Sequence, residues 1–444
     1  MSLKSLLNFN NIFYVNSINF LIALIPISFI AGNLVINLNI LLIVISTLII
    51  FKGKVFAIQF NVIDKFLFFA FGLIITSGII NTFQIYLEDK NSIQDFKVLI
   101  KSFLYLRYFL LYLILRFLVE ANIFNFKIFF LSSFLCSLFV SIDLIYQFIF
   151  GVDILGFKQD LSSANKFSGP FGDELIAGSY LQKFGFLSFF LIPLFLNIKN
   201  KKLVYLYLSL LFLLILFSLI ISGNRMPFVL FIFTIFSIFV LEKKTRKYFI
   251  PLIIITTLVF LVTIKYSTAT KYYFSHFVRM SVEIKDTTFN FIFKNFSNNE
   301  LELFEKDPQL FIPNTYFKEF YSGVATWKQN SVIGGGVDSF YINCIKVIND
   351  CSSHPHNYYL EILSEIGIVG LFVFLLIFGK VFYDTFYLKY VRNIKLNNLI
   401  VPFMFLFLAE IFPIKTSGSF FTTGNASFIF FILAITVALS KRPN

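Results

Sequence analysis

The chain has 444 residues, of which 58% are hydrophobic and 14% are charged, and its formal net charge is +13. A soluble domain is usually about 45–50% apolar and about 25% charged, so the composition excludes a cytosolic enzyme and a disordered chain. Three cysteines in this length also exclude a small disulfide scaffold, and the polar surface is too small for a nucleic-acid-binding face. We therefore predict an all-α polytopic membrane protein.

Apolar runs long enough to cross a bilayer recur along the chain. A membrane helix needs about 20 mostly apolar residues, which predicts about twelve spans. They lie near residues 17–31, 33–51, 66–81, 98–119, 128–150, 174–196, 203–221, 227–241, 248–264, 365–383, 398–412 and 420–440. Residues 265–364, the large polar segment, are too polar and too numerous for a simple connection. The chain thus divides into a membrane body over 1–264, this segment, and the rest of the body over 365–444.

Lysine and arginine are distributed unevenly among the predicted connections. With the N-terminus inside, the connections assigned to the cytoplasm carry most of them, including Lys54, Arg116, Lys201 and Lys441. Such an excess is typical of cytoplasmic loops and explains much of the net charge. The pattern predicts both termini in the cytoplasm and the large polar segment on the outer side, in the periplasm of a Gram-negative host.

Arg107 is predicted within the fourth span, where an ionised side chain is costly unless it faces a partner or a polar cavity. Asp143, in the fifth span, is the candidate partner. The sequence leaves two interpretations open. One is a structural ion pair between these two residues, and the other is that Arg107 forms the polar wall of a substrate cavity.

Two short turns carry further candidates. Residues 167–174 read Phe-Ser-Gly-Pro-Phe-Gly-Asp-Glu and predict a tight turn before the sixth span. Asp173 is explained as a helix N-cap, whereas Glu174 is the better candidate for a functional acid. Arg225 follows Ser-Gly-Asn in another turn. Its guanidinium suits a phosphate or carboxylate, and the alternative is an arginine that only snorkels to the membrane boundary.

All three histidines of the chain lie in the large polar segment. His354 and His356 flank a proline just before the tenth span, and imidazole takes up a proton near neutral pH, as a general base must. Two other interpretations stay open. The histidines are solvated loop residues, or they are zinc ligands together with Glu361 or Glu365.

The cysteines have two predicted roles. Cys344 and Cys351 lie close together in the large polar segment, where oxidation outside the cytoplasm would join them in a disulfide. Closing a loop of this size contributes about 2–3 kcal/mol in the chain-entropy account. Cys136, in the fifth span, is predicted to be a small apolar filler.

Four stretches of the chain resemble one family. His356-Asn357, nine further residues and then Gly367-Ile-Val-Gly370 resemble the His-Asn-x9-Gly-x-x-Gly signature of the O-antigen ligase and polymerase superfamily of bacterial envelopes. Three more stretches fit in chain order, at residues 167–181, 222–225 and 327–340. The resemblance covers about the last two-thirds of the chain.

The resemblance implies a metal-independent, inverting glycosyltransferase without a cofactor, on a GT-C-like helical body in the bacterial inner membrane. Members of the family take a glycan from an undecaprenyl diphosphate carrier and join it to an acceptor sugar hydroxyl at the periplasmic face. The implied partners are therefore the lipid-linked glycan donor, a glycan or lipid A–core acceptor, and membrane lipids. Nucleic acid is not among them.

The resemblance also implies roles for single residues. His356 would be the base that deprotonates the acceptor, or would orient it, with His354 and Asn357 as supporting candidates. Arg225 would neutralise the diphosphate of the departing lipid. Electrostatic stabilisation of that leaving group matters more than a strong acid, because diphosphate is already a good leaving group.

A second arginine is expected ahead of Trp327. Arg279 is the only arginine in the large polar segment but lies far upstream, and Lys318 is nearer. The second phosphate contact is therefore assigned to Arg279, with Lys318 as a supporting candidate.

Three functions are compared. The first is an O-antigen ligase with lipid A–core as acceptor, and the second is a polymerase that uses another lipid-linked repeat unit as acceptor. The third is a transporter or flippase for a lipid-linked sugar. A transporter should carry coupling charges deep in several spans, whereas the candidate residues here cluster at the predicted outer rim. This favours a transferase over a transporter, with a ligase as the first hypothesis and a polymerase, which shares the same motifs, as the alternative.

Overall fold

The structure is a computed structural model of the chain. It describes residues 12–88, 94–158, 166–195, 200–243, 315–348, 351–416 and 418–441, with isolated positions between 246 and 275. Every regular element in these ranges is a helix, which confirms the all-α class. His276, Arg279 and most of the predicted ninth span, 248–264, lie outside the described residues.

The described helices form three groups along the chain. The first group comprises α1 (Ile12–Ala23), α2 (Ile25–Ala31), α3 (Asn33–Phe51), α4 (Val62–Glu88), α5 (Gln94–Glu120) and α6 (Phe126–Phe150). The second comprises α7 (Ala177–Tyr180), α8 (Phe186–Ser188), α9 (Leu191–Phe195), α10 (Lys201–Ile221) and α11 (Arg225–Leu241). The third comprises α12 (Thr315–Gln329), α13 (Phe340–Cys344), α14 (Tyr358–Phe382), α15 (Ile400–Glu410) and α16 (Thr423–Ser440).

Seven of the described helices are long and apolar enough to cross a membrane, or up to eight if the bent pair α1–α2 counts as one span. The seven are α3, α4, α5, α6, α10, α14 and α16. Helices α11 and α15 are apolar but have only 17 and 11 residues. The chain is thus a multi-pass membrane protein, and the total of twelve spans stays a prediction.

The predicted sixth span, 174–196, is not one continuous helix. Its first helical turn begins at Ala177 and receives no side-chain cap. Asp173 and Glu174 are exposed on the turn before it, so the N-cap interpretation of Asp173 is wrong. A π-helical turn, Leu181–Gly185, then separates α7 from α8 and places Lys183 in the protein interior. The interruption follows from burying a charged side chain that needs polar partners on other helices.

Helix α16 lies at the centre of the body. Every residue from Ala426 to Leu439 is buried, as expected for a helix that is apolar on all faces. Aromatic side chains make many of its contacts. The ring centroid of Phe430 lies 5.3 Å from that of Phe71 on α4 and 6.1 Å from that of Tyr108 on α5. These ring contacts hold α16 against α4 and α5.

The charge pattern predicted that Arg116 lies in a cytoplasmic connection, but the structure has it within α5. It is 1% exposed near the end of α5. Its guanidinium forms an ion pair with Asp64 of α4, and its Nε atom donates to Glu120 Oε1 at 2.6 Å. The hydroxyl of Tyr112 donates to the other oxygen of Asp64 at 2.6 Å. These residues, the Asp64–Arg116 cluster, join α4 to α5.

Candidate active site

Helix α14 is interrupted at Gly367, whose φ of 71° and ψ of −175° are not helical. The interruption frees backbone carbonyls on the preceding turn, and these find partners in another loop. The N–H of Gly335 donates to Ser364 O at 2.9 Å, and the N–H of Gly336 donates to Glu365 O at 2.8 Å. The two glycine stretches that carry the family resemblance therefore hydrogen-bond to each other.

The contact between these stretches leaves no room for side chains. A Cβ atom on Gly334 would lie 2.3 Å from the carbonyl carbon of Glu365, and one on Gly367 would lie 2.1 Å from Val332 O. The amide of Asn81, on α4, donates to Gly334 O at 2.8 Å. The loop of residues 330–339, which we call the glycine loop, therefore fixes the first turns of α14 against α4.

His354 and His356 lie just before α14, with ring centroids 4.2 Å apart. Asn357 caps the helix, since its side-chain oxygen accepts from the N–H groups of Tyr359 at 3.0 Å and Leu360 at 3.2 Å. His356 itself has a φ of 49°. This left-handed conformation typically costs a non-glycine residue about 1–3 kcal/mol and is concentrated at functional sites.

A cavity of about 370 Å³ lies beside His354, between α5, the first turns of α14 and the segment before α16. Its volume is within the roughly 300–1,000 Å³ of small-molecule sites. Helix α5 contributes two cations to its lining, and three acidic residues come from the glycine loop and α14. These charged residues of the polar cavity are Lys101, Arg107, Asp338, Glu361 and Glu365.

Arg107 lies on the wall of the polar cavity and makes no ion pair with Asp143. Its guanidinium donates to Leu104 O at 3.0 Å and to the hydroxyl of Tyr108 at 2.8 Å, while its buried Nε atom has no hydrogen-bond partner. Asp143 instead accepts from the N–H of Ile154 at 2.7 Å, on the loop after α6. Of the two interpretations that the sequence left open, the ion pair is absent and Arg107 lies on a cavity wall.

His354 is kept neutral by its surroundings. Burial, and secondarily the neighbouring His356, lower the pKa of His354 from 6.5 to about 4. Its Nδ1 atom lies 3.0 Å from the hydroxyl of Ser353, and its Nε2 atom has no partner. Among the described residues, no group of three or more histidine, cysteine, aspartate or glutamate side chains is arranged to hold a metal ion.

A second ionic group, which was not predicted from the sequence, contacts Tyr358 at the start of α14. Lys415 donates to the hydroxyl of Tyr358 at 2.8 Å and to Glu410 at 2.5 Å. Lys183 lies 3.9 Å from the other oxygen of Glu410. None of these residues lines the polar cavity. Charged residues inside two predicted spans, 174–196 and 398–412, were the available signal.

The remaining predicted residues do not line the polar cavity. Arg225 begins α11 and is partly buried beside Lys166, whose pKa is lowered by burial and by the positive charge of Arg225. Glu174 is exposed on its turn, and Lys318 is partly buried on α12. Arg279 is outside the described residues. The structure thus places Arg225 beside another cation and apart from the polar cavity.

Cys344 and Cys351 form a disulfide in the structure, with an S–S distance of 1.97 Å. The bond connects α13 to the segment that leads to His354. Cys344 is fully buried in a small cluster with Phe340 and Ile348. The disulfide therefore attaches the approach to the histidines to a packed part of the large polar segment.

A second cavity, of about 510 Å³, is almost entirely apolar. We call it the apolar groove, and it lies between α2, α6 and the loop before α7. Residues on both helices line it, including Ile27, Ile30, Ala31, Leu135, Cys136 and Phe139. Ala31 faces the apolar groove and Asn33 faces the polar cavity, so the two spaces flank the break between α2 and α3.

Apolar helices around a buried polar cavity define a multi-pass α-helical membrane protein whose polar site lies at one end of its helices. Residues 210–375 match a family described as O-antigen ligase. The match confirms the resemblance seen in the sequence to the O-antigen ligase superfamily, whose members are membrane glycosyltransferases of ligase and polymerase type. The match includes Arg225, both site histidines and the interruption of α14. No curated protein matches the chain.

Proposed function

We propose that the protein is an O-antigen ligase. It moves a glycan from undecaprenyl diphosphate to an acceptor sugar hydroxyl on lipid A–core, at the periplasmic face of the inner membrane. One observation carries the proposal: the strained His356 and the neutral His354 lie together beside a polar cavity, within the stretch that matches the family.

The proposed reaction needs one proton acceptor. His356 takes the proton of the acceptor hydroxyl, and that oxygen attacks the anomeric carbon of the donor sugar. The bond from this carbon to the diphosphate breaks, the diphosphate keeps the electron pair, and the configuration inverts. A positioned base typically contributes about 10²–10⁴-fold to such a step. A neutral His354 helps, because a second imidazolium would repel the positive charge that His356 gains.

Positive charge for the departing diphosphate comes from two arginines in this proposal. Arg225 does not line the polar cavity, and its contact with the diphosphate stays an expectation from the family resemblance. Arg107 takes the place of the second arginine expected ahead of Trp327, because the structure has it on the wall of the polar cavity that His354 also lines. Fixed cations next to developing negative charge stabilise a transition state without a metal.

The two cavities suit an amphipathic donor. An isoprenoid chain matches the apolar groove, and a sugar diphosphate matches the polar cavity. Ala31 and Asn33 line these spaces on opposite sides of a single glycine, and in this proposal one lipid-linked molecule occupies both. This arrangement supports a lipid-linked substrate over a soluble nucleotide sugar.

The test is complementation in two strains, one lacking its O-antigen ligase and one lacking its polymerase. A ligase restores attachment of glycan to lipid A–core in the first strain, whereas a polymerase restores the repeat ladder in the second. His356→Ala should abolish the restored activity with the protein still in the membrane. His276→Ala, a histidine of the same segment with no proposed role, is the matched control. Normal lipopolysaccharide from the His356 variant would refute the mechanism.

A further inference from the structure

Two glutamates of the polar cavity have no role in the transfer step proposed above. Glu361 and Glu365 are four residues apart on α14 and therefore share one face of the helix. Each is 2% exposed, and both line the polar cavity. Carboxylates are rarely buried without a specific partner, so their surroundings show what the cavity is able to bind.

Glu361 is held by the segment before α16. One of its carboxylate oxygens accepts from the hydroxyl of Ser419, and the other accepts from the N–H of Phe420 at 2.6 Å. Both oxygens are therefore engaged with the protein. The residue forms a fixed wall of the cavity, and its two bonds hold the segment before α16 against α14.

Glu365 is only partly satisfied. Backbone groups of Asp338 and Phe340 hydrogen-bond to its carboxyl group, but its Oε2 atom is buried without a partner. Tyr105, on α5, is 2% exposed and lines the same cavity, and its hydroxyl also has no partner. Buried polar atoms in folded proteins normally have hydrogen-bond partners. These two atoms therefore mark where a bound molecule donates one hydrogen bond and accepts another.

The charged residues of the polar cavity limit the chemical class of the bound molecule. Lys101 pairs with Asp338, which also lies 3.3 Å from Lys97. The two cations of the lining, Lys101 and Arg107, are on α5, whereas Glu361 and Glu365 are on α14. A diphosphate therefore suits the side of the cavity formed by Arg107, and the side formed by the two glutamates suits an uncharged ligand. Sugar hydroxyls donate to carboxylates and accept from phenols, and they carry no charge.

We infer that Tyr105, Glu361 and Glu365 form a subsite for an uncharged sugar ring with adjacent hydroxyls. Glu365 Oε2 accepts from one hydroxyl, and the hydroxyl of Tyr105 donates to a neighbouring one. Hexuronic acids are rejected, because their carboxylate would lie beside Glu361 and Glu365. The inference rests on the proposed function in that the bound ring belongs to the transferred glycan or to its acceptor.

The test is ligand-observed NMR titration of the purified full-length protein in detergent micelles. The probes are the methyl glycosides of glucose, galactose and mannose, and those of glucuronic and galacturonic acid. At least one neutral glycoside should bind about 10-fold more tightly than the acids. Glu365→Gln should weaken binding of that neutral glycoside about 10-fold, and Tyr105→Phe should weaken it less. Both variants should reduce the difference in affinity between the neutral glycoside and the acids.

Glu242→Gln is the matched control, because this partly buried glutamate pairs with Lys389 away from the cavity. Its binding constants should equal those of the unmodified protein. Equal binding of neutral and acidic glycosides, no binding of any neutral glycoside, or constants unaffected by both site variants would overturn the inference. Unfolding temperatures verify that the variants fold, and Tyr105→Phe carries the test if Glu365→Gln does not fold.

Failure of the inference is distinguishable from failure of the proposed function. If the complementation assay shows glycan attachment that depends on His356, but the glycosides bind without discrimination, only the sugar subsite is wrong. If discrimination depends on Glu365 but neither strain is complemented, the subsite stands and the transfer reaction is wrong.

Discussion

The Asp64–Arg116 cluster and the polar cavity contain the same types of charged side chain, but they differ in how completely their polar atoms are hydrogen-bonded. In the Asp64–Arg116 cluster, both oxygens of Asp64 accept hydrogen bonds from α5, and Arg116 also donates to Glu120. In the polar cavity, by contrast, Glu365 Oε2 and the hydroxyl of Tyr105 are buried without partners. A charged group whose polar atoms all have hydrogen-bond partners in the protein holds helices together. A group with an unpartnered polar atom can instead bind a ligand.

The comparison predicts different consequences of mutation. Removing one member of a buried ion pair leaves the other charge uncompensated, at a typical cost of about 3–5 kcal/mol. Removing a group that lacks a protein partner breaks no native bond, so it should change function more than stability. Each prediction below tests one side of this difference.

The largest expected effect is on stability. Asp64→Asn should lower the free energy of unfolding by about 3–5 kcal/mol, because Arg116 loses its ion-pair partner. Thermal unfolding of the purified protein would measure the change. Glu365→Gln is the comparison variant and should shift the unfolding temperature much less. Equal losses in the two variants would contradict the division into satisfied and unsatisfied groups.

The next effect is on transfer. Arg107→Ala should reduce glycan attachment about 10²-fold or more, since it removes a fixed cation from the cavity wall. Its unfolding temperature should fall little, because the residue bonds only to Leu104 O and to the hydroxyl of Tyr108. A quantitative attachment assay on equal amounts of membrane protein would measure it. Full activity with a large loss of stability would make Arg107 a structural residue.

Hydropathy was sufficient to predict most of the described fold. Seven of the predicted spans are helices that pass the length and composition test, because about 20 apolar residues are needed to cross the bilayer. The sixth span failed because hydropathy does not register an interruption. Lys183 lies on a π-helical turn and donates to Asn425 on α16 at 2.9 Å, a contact between distant parts of the chain.

The site was predictable only where chemistry lies in one short stretch. His356 and Gly367 belong to one motif and His354 lies two residues before it, so the sequence identified these positions together, but it did not predict that α14 is interrupted at Gly367. Arg107 was recognised as a costly residue within a span, but its pairing with Asp143 stayed open, because residue spacing does not say which way a side chain points around its helix. Tyr105 was missed, since its cavity is assembled from α5, α14 and the segment before α16, which are far apart in the chain.

The disulfide between Cys344 and Cys351 tests whether a covalent bond, like the Asp64–Arg116 cluster, contributes mainly to stability. Removing it by Cys351→Ala should lower stability by about 2–3 kcal/mol in the chain-entropy account. Attachment activity should also fall, because the bond lies between α13 and the segment leading to His354. Thermal unfolding and the attachment assay, with and without a reductant, would measure both effects. Cys136→Ala is the control, as this cysteine is not in the disulfide and should leave the reductant response unchanged.

The smallest expected effect is a pH dependence of stability that originates at His354. The folded protein lowers the pKa of this residue from 6.5 to about 4, so between these values the unfolded chain binds a proton that the folded chain does not. Stability should therefore fall as the pH is lowered from 6.5 to 4, and this residue should add no further loss below pH 4.

His354→Gln removes the titrating group, so its unfolding temperature should fall less than that of the unmodified protein between pH 7 and pH 4. His276→Gln serves as the control and should retain the full pH dependence. Partial exposure of the ring to solvent reduces the size of the effect, which is why it ranks below the others. Identical pH profiles for the unmodified protein and His354→Gln would mean that partial burial of this imidazole, with its Nε2 atom unpartnered, has no energetic consequence. The division between satisfied and unsatisfied groups would then not extend to His354.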